Sequence, residues 1–144
     1  LRPLADPIAI QVEATRVLGR HLGASRASYA EVAADDAHFV VHRDYTDGVR
    51  SYAGRYRLDA YGPEFVRDLR AGHTVTMADA ARDPRVGEAE RVDVYAAGRI
   101  GAFVGVPLIK GGRLAAVLSV HFPGLHAWSP AEVALVEETA ERTW

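Results

Sequence analysis

"GVPLIKGGRLAAVLSVHF", residues 105–122, places two apolar runs on either side of Lys110-Gly111-Gly112 and ends with a histidine among hydrophobic neighbours. Two such runs around a Gly-Gly pair read as a β-hairpin, because tight hairpin turns need the positive φ angles that glycine adopts freely. Side chains alternate across a strand. On the return strand Leu114, Ala116, Leu118, Val120 and Phe122 therefore point one way, and Ala115, Val117, Ser119 and His121 the other. Both sets are largely apolar, which predicts a strand in the middle of a sheet, covered on both sides.

The flanking segments supply what covers it. Asp6-Pro7 is a helix start, Asp as the cap and Pro at the first helical position, and residues 8–22 meet no breaker except Gly19. That helix has two stripes, Ile10, Ala14, Val17 and Leu18 on one side and Ile8, Val12, Thr15 and Leu22 on the other. It thus has two surfaces to satisfy, one for its own sheet and one for a partner helix. From Ala27 the period becomes two, and "HFVVHRDYT" after Asp35-Asp36 completes an antiparallel hairpin. "GRYRLDAY" is a candidate third strand, "EFVRDLR" after Gly62-Pro63 a short helix, and "TVTMAD" a short strand. A polar stretch over 80–98 contains a short helix at "EAERVDVYAA", and Trp128-Ser129-Pro130 opens a last helix with Val133, Val136 and Ala140 in one stripe. Hairpins in place of βαβ crossovers, with helices at both chain ends, predict an α+β domain built on an antiparallel sheet.

Composition narrows the function. The chain has 144 residues, 49% of them hydrophobic, which suits one domain with its own core. Seventeen Lys and Arg stand against nineteen Asp and Glu, a net charge of −2, so there is no basic field to draw in nucleic acid or an anionic membrane. Lys110 is the single lysine; the arginines are scattered and form no phosphate-binding cluster. With no cysteine, disulfides, thiolate metal sites and nucleophilic thiols are excluded together. No apolar run approaches the roughly 18 to 20 residues that span a bilayer, and no signal peptide is legible, so a cytoplasmic setting is the expectation. The chain opens on Leu1 and stops within a helical pattern, which reads as a piece of something longer.

Four stretches resemble a GAF domain, a sensory module of bacterial signalling proteins: "LADPIAI" at 4–10, "HTVTMADAARDPRV" at 73–86, "AFVGVPLIKGGRLAAVLSVHF" at 102–122 and "WSPAEVALVEETAERTW" at 128–144. The resemblance spans nearly the whole chain. It implies a central antiparallel sheet of five or six strands, with N- and C-terminal helices on one face and loops and short helices forming a pocket on the other. The likeness is to GAF domains of multidomain sensor histidine kinases, lying between PAS-type domains and a kinase core. It implies a homodimer joined through the terminal helices, the last running past Trp144 into a connector.

On that frame Ser119 and His121 look into the pocket, flanked by Val117, while Met77 and Asp79 stand at the end of the "TVTMAD" strand, and Tyr95, Arg99 and Phe103 close the cavity. Each has an ordinary alternative. His121 is open to three readings: a structural histidine bonded to a carbonyl or water, a contact to an unknown small molecule, or a metal or haem ligand. Asp79 can cap the turn at Ala80-Ala81, Tyr95 can be a half-buried staple, and Arg99 a solvated charge. His42 and Asp44 share a strand face as a relay would, but no nucleophile accompanies them, and a surface pair is the simpler reading. His121 and His126 lack the helical spacing of a zinc pair. Relatives with known chemistry fit poorly. The bilin-binding cysteine and the Pro-x-Ser-Asp-Ile-Pro loop are absent, as are the cysteines of free methionine sulfoxide reductases and the Asn-Lys-x-Phe-x-x-x-Asp-Glu signature of cyclic-nucleotide binders. The expectation is a non-catalytic domain whose cofactor, if any, is unknown; its rival is a purely structural dimerisation and transmission module.

Overall fold

The computed structural model describes residues 6–143. Leu1, the first two residues of "LADPIAI" and the expected continuation at Trp144 lie outside them. Helix α1 (Pro7–Leu22) starts as its sequence dictates, with the Asp6 carboxylate accepting the Ile8 N–H at 3.0 Å and Gly23 closing the other end at φ 70°. Strands β1 (Arg26–Val32), β2 (His38–Val41), β3 (Asp44–Thr46) and β4 (Gly54–Arg57) follow, then a 3-10 turn over Leu58–Tyr61 and helix α2 (Pro63–Arg70). After β5 (Val75–Met77), a single α-helical turn, α3 (Glu88–Glu90), runs into a π-helical turn over Arg91–Ala96. Strands β6 (Ala102–Lys110) and β7 (Arg113–Phe122) and helix α4 (Pro130–Thr143) complete the described chain. The α4 start is a capping box: Ser129 Oγ accepts the Glu132 N–H at 3.1 Å while Glu132 Oε1 accepts the Ser129 N–H at 2.9 Å. No described helix is long and apolar enough to cross a membrane.

Among the described residues the sheet has seven strands in the order β4-β2-β1-β7-β6-β5, with β3 also on β1. It is six strands wide, because β2 and β3 lie end to end along β1, pairing with Glu31–Val32 and Arg26–Ser28 respectively. "HFVVHRDYT" is thus two strands parted at His42-Arg43, and "GRYRLDAY" is strand only over its first half. β6 and β7 are interior, each paired on both sides. Their turn has Gly111 at φ 58° and Gly112 at φ 78°, the double positive φ of a two-residue hairpin that preserves the sheet's twist.

Strict alternation along β7 fails at one place. The register slips between Leu108 and Ile109, so that Ala116 faces Leu108 but Leu114 faces Ile109. The extra residue turns Leu114 to the opposite face from Leu118 and Val120, against the sequence expectation. Beyond the bulge the alternation is as expected.

The two faces carry separate cores. Leu18 of α1 and Val136 and Ala140 of α4 pack on Ala27, Tyr29, Val104, Val106, Leu118 and Val120. On α1 the sheet side takes Thr15, Leu18 and Gly19; no side chain fits at Gly19, where the Tyr45 ring lies against the backbone. Ile10, Ala14 and Val17 border an open groove of about 500 Å³ with Leu135 and Thr139 of α4, and Val17 is 53% exposed. The other face is covered by α2, the 3-10 turn and the segment around Tyr95.

Candidate functional site

Between that second face and its cover lies a cavity of about 70 Å³. Its floor is β1, β6 and β7, contributing Ser28, Ala30, Phe103, Gly105, Val117, Ser119 and His121. Its walls combine aliphatic side chains, Leu58, Val66, Leu69 and Ile100 among them, with aromatic rings. Tyr52 comes from the loop before β4, Tyr61 from the 3-10 turn, Phe65 from α2 and Tyr95 from the π-helical turn. Tyr61 and Tyr95 meet edge to face with centroids 6.1 Å apart, and Phe65 meets Phe103 likewise at 5.2 Å. The Tyr95 hydroxyl donates to the Tyr61 carbonyl at 2.8 Å, and the Tyr52 and Tyr61 hydroxyls touch. Burial pushes the Tyr52 and Tyr95 phenols well above their ordinary range, so both are neutral.

His121 is satisfied by a group that sequence reasoning did not single out. Arg26 is its direct cross-strand partner, and the two side chains share the cavity face of β1 and β7. Arg26 is fully buried, and its Nη1 donates both to His121 Nδ1 at 3.1 Å and to the Gly98 carbonyl at 2.9 Å. Nη2 donates to the Arg50 carbonyl at 2.9 Å, and the guanidinium lies 5.1 Å from the Tyr52 ring centre. The Asp44 carboxylate, also buried, stands 4.0 Å from Nε, the one fully enclosed side-chain nitrogen or oxygen among the described residues without a hydrogen bond. Asp44 in turn accepts from Ser51 Oγ and the Tyr52 N–H. Arg26 therefore ties the loop carrying Tyr52 and the end of the turn carrying Tyr95 to the sheet.

An arginine only donates, so His121 Nδ1 must offer its lone pair and the ring is the neutral Nε2–H tautomer. Burial, reinforced by the Arg26 charge, holds its pKa down to about 3.

Five residues named from the sequence line the cavity: Tyr95, Phe103, Val117, Ser119 and His121. Three do not. Met77 is 1% exposed, packed in the same core but off the cavity, its carbonyl taking the Trp128 indole N–H at 3.2 Å. Asp79 caps its own turn, Oδ1 accepting the Ala81 N–H at 3.1 Å. Arg99 is exposed at φ 56°, where the chain reverses so that Gly98 and Ile100 face inward and its own side chain is left outside. His42 lies 3.4 Å from Glu31 at the surface while Asp44 faces Arg26, so the two form no relay. His126 bonds both Glu132 oxygens at 3.0 Å and stacks on Phe122, apart from His121. No group of three metal-binding side chains occurs among the described residues. The missed contributors, Arg26, Ser28, Tyr52 and Tyr61, lie far from β7 in sequence; the one signal was the even parity of Arg26 and Ser28 on β1.

The model of the GAF domain family matches residues 6–144, and the chain belongs to that family. Solved structures agree in fold. The PixJ GAF domain of Thermosynechococcus elongatus, in its blue-light absorbing form, superposes with a TM-score of 0.81 at 15% identity, over 99% of this chain and 87% of that one. The chromophore-binding domain of a bacteriophytochrome from R. palustris gives 0.80 at 17% identity, over 96% of this chain and 54% of that one. Free methionine-R-sulfoxide reductase from Neisseria meningitidis, solved with its substrate, gives 0.74 at 16%, over 98% and 77%. No curated protein matches in sequence. At these identities the likeness is one of fold. A tetrapyrrole does not fit this cavity as packed: its volume is about half the 150 Å³ that encloses a benzene.

Proposed function

We propose that this GAF domain is a non-catalytic sensory module of a longer cytoplasmic signalling protein, a sensor histidine kinase, and that it binds a small molecule in the cavity beside His121. The observation that carries the reading is an apolar chamber, partly open and edged by aromatic rings, with unpartnered polar groups on its floor, built on strands shared with the terminal helices. Tyr95, Phe103, Val117, Ser119 and His121 are its contacts. The route outward is short. The Ser25 N–H and hydroxyl both donate to the His121 carbonyl at 3.0 Å, and Ser25 lies three residues past the end of α1. A ligand that prefers one placement of His121 and Arg26 thereby biases the seating of α1, and only such differential affinity shifts a population. The open groove along Ile10, Ala14, Val17 and Leu135 supports pairing of the helices with a second copy.

The size of the cavity favours a second reading, a structural dimerisation and transmission module whose chamber is filled by its own rings. Native mass spectrometry of freshly purified protein distinguishes them: the sensory reading expects a bound small molecule or uptake from an extract, and a bare mass under both conditions supports the structural module. Light scattering tests the pairing. We expect a dimer or a concentration-dependent monomer, and Val17→Lys to yield monomer with the melting temperature unchanged; strict monomer behaviour of the unmodified protein at high concentration overturns the helix pairing.

A further inference from the structure

The chemistry of the cavity floor defines what it accepts. Nδ1 of His121 is taken by Arg26, and Nε2 has no hydrogen-bond partner in the protein. Nε2 is nevertheless not among the sealed, unpartnered atoms, so on a cavity-lining residue only 7% exposed its remaining surface is cavity surface. Ser28 and Ser119, paired directly across β1 and β7, add two hydroxyls that bond nothing in the protein. A buried donor is costly when unpaired, so the Nε2–H demands an acceptor, while either serine hydroxyl can give or take a hydrogen bond. The floor does not demand a charge. No lining side chain is ionised, and the nearby Arg26 cation already has two carbonyls, His121 and the Asp44 carboxylate around it. An ionic ligand would be desolvated with no counter-ion of its own.

We propose, building on the sensory reading above, that the ligand is a small neutral molecule with a compact apolar body, smaller than a six-membered ring, held among the tyrosine and phenylalanine rings and one acceptor oxygen or nitrogen on the Nε2–H of His121.

Three probes of nearly one shape test this: acetone, isobutene without the acceptor, and acetate with a charge. Each is titrated into ¹⁵N-histidine, ¹³C-methyl labelled protein and followed by NMR at His121 and Val117. The free protein should show His121 as the Nε2–H tautomer. Acetone should move both signals and bind about tenfold tighter than isobutene, the worth of one buried hydrogen bond. His121→Gln, whose amide both accepts from Arg26 and donates to the cavity, should keep that preference, and His121→Leu should lose it. Equal binding of ketone and hydrocarbon, a preference for the carboxylate, or the other tautomer overturns this inference and leaves the receptor reading standing. If none of the three binds and Val117 does not move, the inference and the receptor reading fall together.

Discussion

The two faces of the sheet are made by alternate residues of the same strands and are built to different ends. Under the helices, Ala27, Val104, Leu118 and Val120 have no exposed surface, and the packing residues are almost all aliphatic. On the other face Phe103, Val117 and His121 retain 6 to 8% exposure beside a void, and a group of aromatic rings joins the aliphatic packing, with a polar strip. Aliphatic side chains interdigitate to solid density, whereas large rings carried on loops leave gaps where their edges fail to mesh. One face is a foundation and the other a chamber, whose loops are held to the sheet by Arg26, the one buried cation among the described residues.

That cation is the sharpest place to break the comparison. Arg26→Met should cost about 3 to 5 kcal/mol in urea denaturation, because it leaves the buried Asp44 without a counter-ion and the Gly98 and Arg50 carbonyls without donors. A loss below about 1 kcal/mol would mean that the loops are held by their tyrosines alone. Next comes a matched pair on adjacent residues of β7. Leu118→Ala under the helices should cost about 3 to 5 kcal/mol, and Val117→Ala over the chamber about 1 to 2 kcal/mol, since fewer atoms are lost and one side of Val117 already faces space. Equal losses would erase the distinction between the faces.

A different handle is the dependence on pH. An ordinary histidine takes up a proton near 6.5, but folded His121 resists until about 3. Between these values the unfolded chain binds more protons than the folded one, so this contribution is complete above about pH 6.5 and is lost as the pH falls. The slope reaches at most about 1.4 kcal/mol per pH unit. Comparing His121→Gln with the parent protein between pH 6 and 4 isolates it from the carboxylates, and the variant should show the shallower fall. Parallel curves would place His121 in contact with water.

Features encoded within a few neighbouring residues were determined by the sequence alone. The Asp6-Pro7 start of α1, the Ser129 and Glu132 cap of α4, the Gly-Gly hairpin and the alternation that sends Val117, Ser119 and His121 to one side all depend on local geometry and on side chains at most four apart. Tertiary structure decided the rest. The pairing of β1 with β7 sets Arg26 against His121 across 95 residues, and no local signal specifies that register. The bulge that turns Leu114 over, the break of "HFVVHRDYT" at His42-Arg43, and the loops that deliver Tyr52 and Tyr61 while leaving Arg99, Asp79 and Met77 outside the chamber likewise answer to distant partners. Register and loop placement minimise a sum over the whole core, and that sum is written in no single stretch of the chain.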